Sequence, residues 1–387
     1  MKTVHINRKG AERLASGHPW IFASDVGDRG GAEGGEAVRV ADPKGRFVGV
    51  AHYSEASQIS LRLLSSEPEQ IGREFFLRRL RAADEFRRRV AAGAEAYRLV
   101  HAEGDRLPAL IVDRYGDYLV VQTLDQGMDR AKGEIVAALE ELFAPRGIVE
   151  RNDSAVRRHE DLPLVTGMLA GAEPPPLVPV RMNGLLFHAD LLHGQKTGVF
   201  LDQRENYLAA AGYAHGRALD CFTSSGGFAL HMAARAEGVI AVDSSEAVLE
   251  VAKRNRAANG IENVEFREAN VFDFLAAERG ARRRYGTIVL DPPAFSKSRQ
   301  TVDSAARGYK EINLRALELL DPGGVLITCS CSHHVPESLL LEIVASASLD
   351  AGRTLRVLDR RTQAQDHPIL LTVPETHYLK CLVLEVL

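Results

Sequence analysis

The sequence predicts an α/β protein in three parts: a small, mostly β module, a small central α/β region and a large region built on a parallel sheet. Short β-like runs broken by glycine pairs fill residues 1–68. After about residue 217, apolar β-runs alternate with helical segments, which is the pattern of a parallel sheet with crossover helices. The segment EPPP at 173–176 indicates a boundary. We expect domains at 1–68, 69–180 and 181–387.

The first module is predicted from three β-like runs, EAVRVAD, FVGVAHY and ISLRLL. A helix should follow over 73–90, where seven arginines stand beside three acidic residues. Its apolar residues recur at helical spacing, so the arginines should form solvated stripes. Such stripes either keep a helix soluble or contact a phosphate backbone, and the second interpretation needs another RNA signal in the chain.

The central region is predicted to contain strands at 110–113 and 118–124, with the turn Tyr115-Gly116-Asp117 between them. A helix over 130–143 and a strand at 147–150 should follow.

The composition is that of a globular protein with large apolar cores. Hydrophobic residues make up 45% of the 387 residues and the net charge is −4, so the chain as a whole is not a polycation that binds nucleic acid by charge alone. No apolar run approaches the roughly 20 residues that span a bilayer, and the N-terminus has no apolar signal core. Four cysteines are too few for a disulfide framework, so we expect a reducing cytoplasm.

The large region opens with a strand that ends in Asp220, a turn of small residues and a helix from about Gly227. Glycine lets the backbone approach a ligand, and the helix N-terminus faces it. The next strand ends in Asp243, whose carboxylate can accept hydrogen bonds from two ribose hydroxyls. A nucleoside ligand is therefore predicted, either a dinucleotide or S-adenosylmethionine. The turn lacks the G-x-G-x-x-G spacing that seats a pyrophosphate, which favours S-adenosylmethionine.

Two further strand ends are expected at the same edge of the sheet. One strand stops at Asp291 before two prolines, which fix the loop and hold Phe295 beside the site. The other ends in TCSCSHH, where alternation places Cys329 and Cys331 on one face. Open α/β sheets bind ligands at the carboxyl ends of their strands, so all four strand ends should line one site.

The cysteines do not indicate a metal site, and two of them are interpreted as structural. The run C-x-C-x-H-H at 329–334 lacks the C-x₂₋₄-C spacing and the second ligand segment of a structural zinc site, so no metal is expected. Cys381 lies inside an apolar strand and Cys221 beside the glycine turn, and both are interpreted as core residues.

Four motifs resemble those of bacterial class I S-adenosylmethionine-dependent 23S rRNA methyltransferases. They are QKTGVFLDQR at 195–204, DCFTSSGGF at 220–228, DPPAFSK at 291–297 and TCSCS at 328–332. In particular they resemble the cytosine-C5 type, which has an N-terminal PUA domain, a small central α/β domain and a Rossmann-like catalytic domain. GHPWIF at 17–22 is similar to the start of that PUA module, and LPALIVDRYGDYLVVQ at 107–122 is similar to the central domain.

The resemblance implies residues that bind S-adenosylmethionine, which is converted to S-adenosylhomocysteine. Segment 195–204 would cover the methionine end, where Lys196 or Arg204 could pair with the carboxylate and Gln203 could hydrogen-bond nearby. The implied cofactor residues are Lys196, Phe200, Gln203, Arg204, Asp220, Phe222, Thr223, Ser224, Gly226, Gly227, Asp243, Ser244, Asn270, Val271 and Asp291. An alternative for Asp202 and Arg204 is a purely structural ion pair.

The sequence also departs from the family pattern. Ser224 and Ser225 stand where the family has an aromatic residue and a threonine, and Asn270 stands where it has an acidic residue. An amide oxygen can still accept a hydrogen bond from the adenine amino group, so Asn270 remains in the implied adenine site.

Methylation at cytosine C5 calls for a thiol. C5 is a poor nucleophile, and addition of a thiolate to C6 makes it reactive. By resemblance to the T-C-S signature we expect Cys329 to be the nucleophile, with Cys331 as the alternative and two inert buried thiols as the third interpretation. Asp291 would lie against the N3/N4 edge and stabilise the protonated ring.

Three functions are compared. The leading one is formation of 5-methylcytosine in 23S rRNA or a large-subunit precursor, so ribosomal RNA is the expected partner; a homodimer is also considered. The second is an RNA methyltransferase that acts on a base nitrogen, such as guanine N7, without a covalent adduct. The third is a non-catalytic RNA-binding assembly factor, against which Asp220, Asp243 and Asp291 argue. A dehydrogenase ranks below these because the pyrophosphate loop is missing.

Overall fold

The protein is described by a computed structural model that covers residues 1–194, 196–295 and 302–387. Gln195 of the first motif and Ser296 and Lys297 of DPPAFSK lie outside the described residues. The chain forms two compact units. The first comprises Met1–Val180, Ala189–Val199 and Gln365–Thr376, and the second comprises Arg181–His188, Phe200–Ala364 and His377–Leu387.

The N-terminal part of the first unit is a six-stranded sheet in the order β2-β6-β5-β4-β1-β3. Its strands are β1 (Thr3–Ile6), β2 (Trp20–Phe22), β3 (Val26–Asp28), β4 (Ala37–Ala41), β5 (Phe47–Tyr53) and β6 (Ile59–Ser65). The three predicted β-runs correspond to β4, β5 and β6. Helix α1 (Arg8–Ala15), which the sequence did not predict, begins at an Asn7 cap whose side chain accepts from the Gly10 N–H at 2.9 Å.

The rest of the first unit contains a five-stranded sheet in the order β11-β10-β9-β8-β7. Its strands are β7 (Ala96–His101), β8 (Leu110–Tyr115), β9 (Tyr118–Thr123), β10 (Gly147–Asn152) and β11 (Val165–Gly171), and its helices are α2 (Arg73–Val90), α3 (Gln126–Arg130) and α4 (Lys132–Phe143). The apolar face of α2, including Phe75, Phe76 and Leu80, packs into the core of this part, as the helical spacing predicted.

One arginine of α2 contradicts the prediction of solvated stripes. Arg87 is 1% exposed. Its guanidinium donates to the carbonyl oxygens of Arg98 and Asp366, both at 2.8 Å, and to the carboxylate of Asp105 at 2.7 Å. A buried guanidinium is tolerated only with such partners, so Arg87 belongs to the internal structure of the unit.

A two-stranded hairpin of β12 (Val178–Met182) and β13 (Leu185–Ala189) follows, with a turn at Asn183 and Gly184 in which both residues have positive φ. The two positive φ values match the turn type that two-residue hairpins favour.

The second unit is built on a seven-stranded sheet in the order β16-β15-β14-β17-β18-β20-β19. Its strands are β14 (Arg217–Cys221), β15 (Gly238–Asp243), β16 (Val264–Glu268), β17 (Tyr285–Leu290), β18 (Leu320–Ser330), β19 (Leu355–Arg361) and β20 (Lys380–Val386). Its helices are α5 (Arg204–Tyr213), α6 (Gly227–Met232), α7 (Glu246–Ala258), α8 (Val271–Gly280), α9 (Val302–Leu319) and α10 (Glu337–Asp350).

The first five strands of this sheet are parallel, which confirms the alternating pattern read from the sequence. The expectation of a parallel sheet up to the C-terminus is wrong, because β20 pairs antiparallel with both β18 and β19. Chain order reverses at β14, which lies between β15 and β17, and such a switch point opens a crevice at the carboxyl ends of the strands. In the described part of the chain no helix is both long and apolar enough to cross a membrane.

Candidate functional site

The register of the sheet places the four predicted strand ends side by side. Asp220 in β14 lies opposite Val289 in β17, and Leu290 lies opposite Thr328 in β18. The Asp291 N–H, one residue beyond β17, donates to the Cys221 carbonyl at 3.4 Å. The strand ends at residues 220, 243, 291 and 329 therefore share one edge of the sheet, as the sequence predicted.

The turn after β14 is built from strained backbone. Phe222 and Ser224 have φ values of 65° and 49°, in the left-handed region that non-glycine residues rarely adopt, and Gly226 has a φ of 89°. The Thr223 N–H donates to the Val242 carbonyl at 3.0 Å, which ties the turn to β15. Strain of this kind persists where the surroundings fix it, and it is common at ligand sites.

Asp220 holds the turn and has capacity left for a ligand. It is fully buried, and its Oδ2 accepts from the Thr223 hydroxyl at 2.5 Å and the Ala229 N–H at 2.9 Å. Its Oδ1 has no hydrogen-bond partner among the described residues. Burial raises the pKa of Asp220 to about 7, and negative charge on Asp291 and Asp243 adds to this. A cationic donor, such as the ammonium group of S-adenosylmethionine, would satisfy the open oxygen.

Asp243 is oriented by two backbone donors. Its Oδ2 accepts from the Ser224 N–H at 2.9 Å and its Oδ1 from the Ser245 N–H at 3.1 Å. A carboxylate has about four acceptor sites, so both oxygens retain a lone pair for the hydroxyls of a ribose. The neighbouring Ser244 is exposed.

Only glycine fits at position 227, because the ring of Tyr207, a residue that the sequence did not single out, lies against it. A Cβ at Gly227 would lie 2.3 Å from Cζ of Tyr207, which is 5% exposed and packs edge-on against Phe228 at 4.8 Å between ring centroids. Burial raises the pKa of Tyr207 well above its usual value, and nearby negative charge, that of Asp291 first, adds to the effect. The ring thus supports the first turn of α6 and adjoins the carboxylates.

The segment before α5 places three predicted residues in the second unit. Gln203 is 2% exposed and its Oε1 accepts from Asn206 Nδ2 at 2.7 Å. Arg204, the first residue of α5, is 7% exposed and lies 3.7 Å from the Glu205 carboxylate. The Phe200 carbonyl accepts from the Tyr207 hydroxyl at 3.4 Å.

Lys196 belongs to the first unit and is exposed, with a left-handed φ of 51°. Its neighbour Thr197 donates to the Asp113 carboxylate at 2.6 Å and lies 3.0 Å from the Tyr115 hydroxyl. This part of the QKTGVFLDQR motif is therefore anchored on the central strands.

Asn270 has a structural role that the sequence analysis did not assign. It caps α8, and its Oδ1 accepts from the N–H groups of Phe272 at 2.9 Å and Asp273 at 3.4 Å. The oxygen expected to face the adenine amino group is therefore already used by the helix. Val271 is 3% exposed and packs in the core of the sheet.

Cys329 lies inside the sheet. It is fully buried in β18 directly opposite Cys381 of β20. A hydrogen bond with Cys381, together with burial, holds the pKa of Cys329 well above its usual value. A thiol that is inaccessible and hard to ionise is a poor nucleophile, so this placement counts against the expected role of Cys329.

Cys331 lies one residue beyond β18 and is partly exposed. Its two neighbours are fixed by one side chain: the Ser330 hydroxyl donates to the Tyr309 hydroxyl at 2.9 Å, and the Ser332 hydroxyl is 3.0 Å from the same oxygen. Tyr309 in turn packs against Phe295 of the DPPAF loop at 4.7 Å between centroids. Of the two predicted thiols, Cys331 belongs to the partly exposed residue and Cys329 to a fully buried one.

Cys221 and Cys381 are buried in the core, as predicted. Among the described residues no group of three or more His, Cys, Asp and Glu side chains is arranged to hold a metal ion. The edge of the sheet thus combines three carboxylates, a strained turn and an accessible thiol. This set can bind a nucleoside with a cationic group and can attack an electrophilic ring carbon.

Comparison with protein families gives two matches. A PUA-like domain family matches residues 4–66, and the S-adenosylmethionine-dependent methyltransferase family matches residues 98–378. Ribosomal RNA large subunit methyltransferase I of Tolumonas auensis is 41% identical over 390 residues, which is 98% of each chain. The protein of the same name from Yersinia pseudotuberculosis is 39% identical over 381 residues, 96% of each chain.

Solved structures share the architecture. A SAM-dependent methyltransferase from Streptococcus mutans matches with a TM-score of 0.84, and a methyltransferase solved in complex with S-adenosylhomocysteine matches with a TM-score of 0.86. Both are 21% identical to this chain and match over the full length of both chains, a likeness that shows the fold.

Proposed function

This chain belongs to the family of S-adenosylmethionine-dependent methyltransferases that includes the ribosomal RNA large subunit methyltransferases I, and we propose that it methylates C5 of a cytosine in large-subunit ribosomal RNA through a transient bond to Cys331. The substrate class is supported by those full-length relatives and by the PUA-like match at residues 4–66. The atom is supported by one observation above all, the accessible thiol one residue beyond β18, at the same edge as Asp291 and Asp220.

S-adenosylmethionine, the methyl donor of this family, supplies an electrophilic methyl group when bound. The open Oδ1 of Asp220 suits its ammonium, and the oriented carboxylate of Asp243 suits its ribose hydroxyls. Gly226 and Gly227 let the backbone of the turn approach the ligand closely.

The target cytosine must leave its stack to reach this edge of the sheet. The Cys331 thiolate forms a bond to C6, and the π electron pair of the C5–C6 double bond shifts onto C5 and is delocalised over C4 and N3, which makes C5 nucleophilic. Asp291, next to β17, holds the N3/N4 edge and stabilises the ring in the form that carries a proton on N3 during the attack. After C5 carries the methyl group, the C5 proton and the N3 proton pass to water. The electron pair of the C5–H bond re-forms the C5–C6 double bond as the S–C6 bond breaks, which restores the base and the thiolate.

Cys331 replaces Cys329 in this proposal for a physical reason. Only the thiolate is reactive, and Cys329 combines complete burial with a raised pKa.

The test uses the full-length protein, large-subunit rRNA and S-adenosylmethionine, with nucleoside mass analysis of the product. We expect 5-methylcytosine from the wild type, none from Cys331→Ala, and substantial product from Cys329→Ala, while all three bind S-adenosylhomocysteine. RNA that contains 5-fluorocytosine should trap a covalent complex in the wild type and in Cys329→Ala, because fluorine cannot leave as the proton does.

Two results would contradict the proposal. Loss of product in Cys329→Ala with activity retained in Cys331→Ala would return the role of nucleophile to Cys329. A methylated ring nitrogen in place of C5, with no trapped complex, would identify a methyltransferase without covalent catalysis.

A further inference from the structure

A lysine is buried beside the proposed nucleophile. Lys380, at the start of the apolar strand β20, is 3% exposed. Its Nζ donates to the carbonyl oxygens of Ser332 at 2.7 Å and Tyr378 at 2.9 Å. Among the described residues no carboxylate lies within ion-pair distance of this ammonium group. Burying an ammonium group without a carboxylate partner costs free energy of folding, so we expect this lysine to serve a function.

The register shows what the ammonium group reaches. Lys380 pairs with Ser330, the last residue of β18, and its side chain extends to the carbonyl of Ser332. Cys331 lies between these two serines. The lysine therefore spans the short backbone segment that carries the thiol, and it fixes that segment on the carbonyl side while Tyr309 fixes the two serine hydroxyls.

Electrostatics couples the two groups directly. Burial lowers the pKa of Lys380 to about 8, and negative charge on Cys331 and then on Glu337 opposes that lowering. The charge of Glu337 is compensated, because its carboxylate forms an ion pair with Arg360. The coupling is reciprocal: a cation that is favoured by a thiolate also favours the thiolate.

Neither Tyr309 nor Asp291, the other ionisable groups that face Cys331 from α9 and from the end of β17, can supply positive charge. Burial raises the pKa of Tyr309, which faces the serines from α9 and stays neutral. Asp291 lies beyond the adjacent strand β17 and is acidic, and His333 and His334 follow in the same loop.

We propose that Lys380 is a positioning residue for Cys331: its ammonium group fixes the backbone that carries the thiol and favours the thiolate form. The inference rests on the proposed function for its catalytic meaning, in which Cys331 attacks C6. The activation of a thiol one residue beyond β18 does not depend on which substrate the protein acts on.

The test measures the alkylation rate of Cys331 by iodoacetamide against pH in the full-length protein, read by peptide mass spectrometry. In the wild type the rate should reach half its maximum below the ordinary cysteine pKa of about 8.5. In Lys380→Met the midpoint should rise by about one unit, so that the rate near pH 7 falls roughly tenfold. Lys380→Arg keeps the positive charge and should keep the low midpoint. Lys253→Met, at an exposed lysine of α7, is the matched control and should change nothing.

The same variants are assayed for methyl transfer. Lys380→Met should lower kcat with little change in the KM for S-adenosylmethionine, and raising the pH should restore part of the loss. A merely structural role would lower the stability of the protein without moving the pH midpoint. Circular dichroism and S-adenosylhomocysteine binding establish that each variant is folded.

The outcomes separate the two proposals. An unchanged midpoint in folded Lys380→Met overturns the inference. A wild-type midpoint at or above the ordinary cysteine value overturns it as well, even if no Lys380 variant folds. A shifted midpoint together with full methyl transfer in Cys331→Ala leaves the inference standing and overturns the proposed function.

Discussion

At Asp220, burial would be coupled to the proposed binding of the cofactor's ammonium group. Its native pKa is raised to about 7 by burial, whereas in the unfolded chain it has the ordinary value near 3.9. Between these two values the folded protein binds more protons than the unfolded chain. The free energy of unfolding of the unliganded protein therefore falls as the pH rises through this window and levels off above about 7.

The Asp220→Asn variant tests this coupling. We expect it to be more stable than the wild type at pH 8 in the absence of ligand, because no buried carboxylate has to ionise. Its affinity for S-adenosylhomocysteine should fall by roughly 10–100-fold, corresponding to about 1–3 kcal/mol for a lost charged hydrogen bond. Urea unfolding and calorimetry at pH 5 and pH 8 measure both effects.

The wild type supplies the internal control for that experiment. Its affinity for S-adenosylhomocysteine should increase as the pH rises through about 7, when the carboxylate forms, and this dependence should be absent in Asp220→Asn. A variant that retained the same pH dependence would show that another group binds the ammonium.

Gly227 gives a second prediction at the scale of one residue. A methyl group there would collide with the Tyr207 ring at 2.3 Å, so Gly227→Ala should cost about 1–3 kcal/mol of stability and weaken cofactor binding. Gly212→Ala in α5 is the matched control, because a Cβ there meets nothing within 4 Å, and it should stabilise the helix by up to about 1 kcal/mol. Thermal unfolding distinguishes the two, and equal effects would contradict the steric argument.

Sequence reasoning found residues whose chemistry is local and missed those defined by distant partners. Asp220, Asp243 and Asp291 each end an apolar run, a signal visible in the sequence alone. Tyr207 was missed because its contact with Gly227 crosses from one helix to another. Lys380 could have been found, since a lysine inside the apolar run YLKCLVLEVL is out of place on a buried strand.

At the scale of elements, the bounds of regular structure followed from periodicity and the parallel strands from their alternation with helices, while the direction of β20 did not. The helix predicted over 73–90 is α2, and the three β-runs of the first module are β4 to β6. Nothing in an apolar run encodes whether a strand pairs parallel or antiparallel, so the antiparallel β20 was missed. Helix α1 was missed because it is short and carries only a few apolar residues.

Periodicity also does not show which charged residue of a helix is buried. Two adjacent arginines of α2 illustrate this and provide a prediction. Arg87 is buried among three partners. The side chain of the adjacent Arg88 is 77% exposed and, within the described ranges, pairs only with Asp84, one turn earlier. Arg87→Gln should cost about 3–5 kcal/mol, because it leaves the Asp105 carboxylate without its cation. Arg88→Gln should change stability by less than about 0.5 kcal/mol. Chemical unfolding of both variants checks this, and a mild effect at Arg87 would contradict it.

At the scale of the whole molecule, the compact units do not follow the order of the chain. The segments Ala189–Val199 and Gln365–Thr376 belong to the first unit although they lie in the C-terminal half of the sequence. The second of them connects β19 to β20, and so precedes the strand that begins with Lys380. A boundary placed at the proline-rich segment 173–176 assumes that each unit is one continuous stretch of chain. It therefore cannot anticipate that two later segments belong to the first unit.

This arrangement predicts how a truncated protein behaves. Removing residues 1–175 deletes the partners of both segments: Asp113, which accepts from Thr197 at 2.6 Å, and the Arg98 N–H, which donates to Asp366 at 2.9 Å. The fragment should therefore be cleaved by a nonspecific protease at 189–199 and 365–376 at least tenfold faster than the full chain, since exposed segments without fixed hydrogen bonds open readily. The strands β14, β15 and β17 should remain protected in both proteins and serve as the internal reference. Equal protection of residues 365–376 in the fragment and in the full chain would contradict this prediction. It would mean that contacts with the second unit are enough to hold this segment, without the hydrogen bond from Arg98.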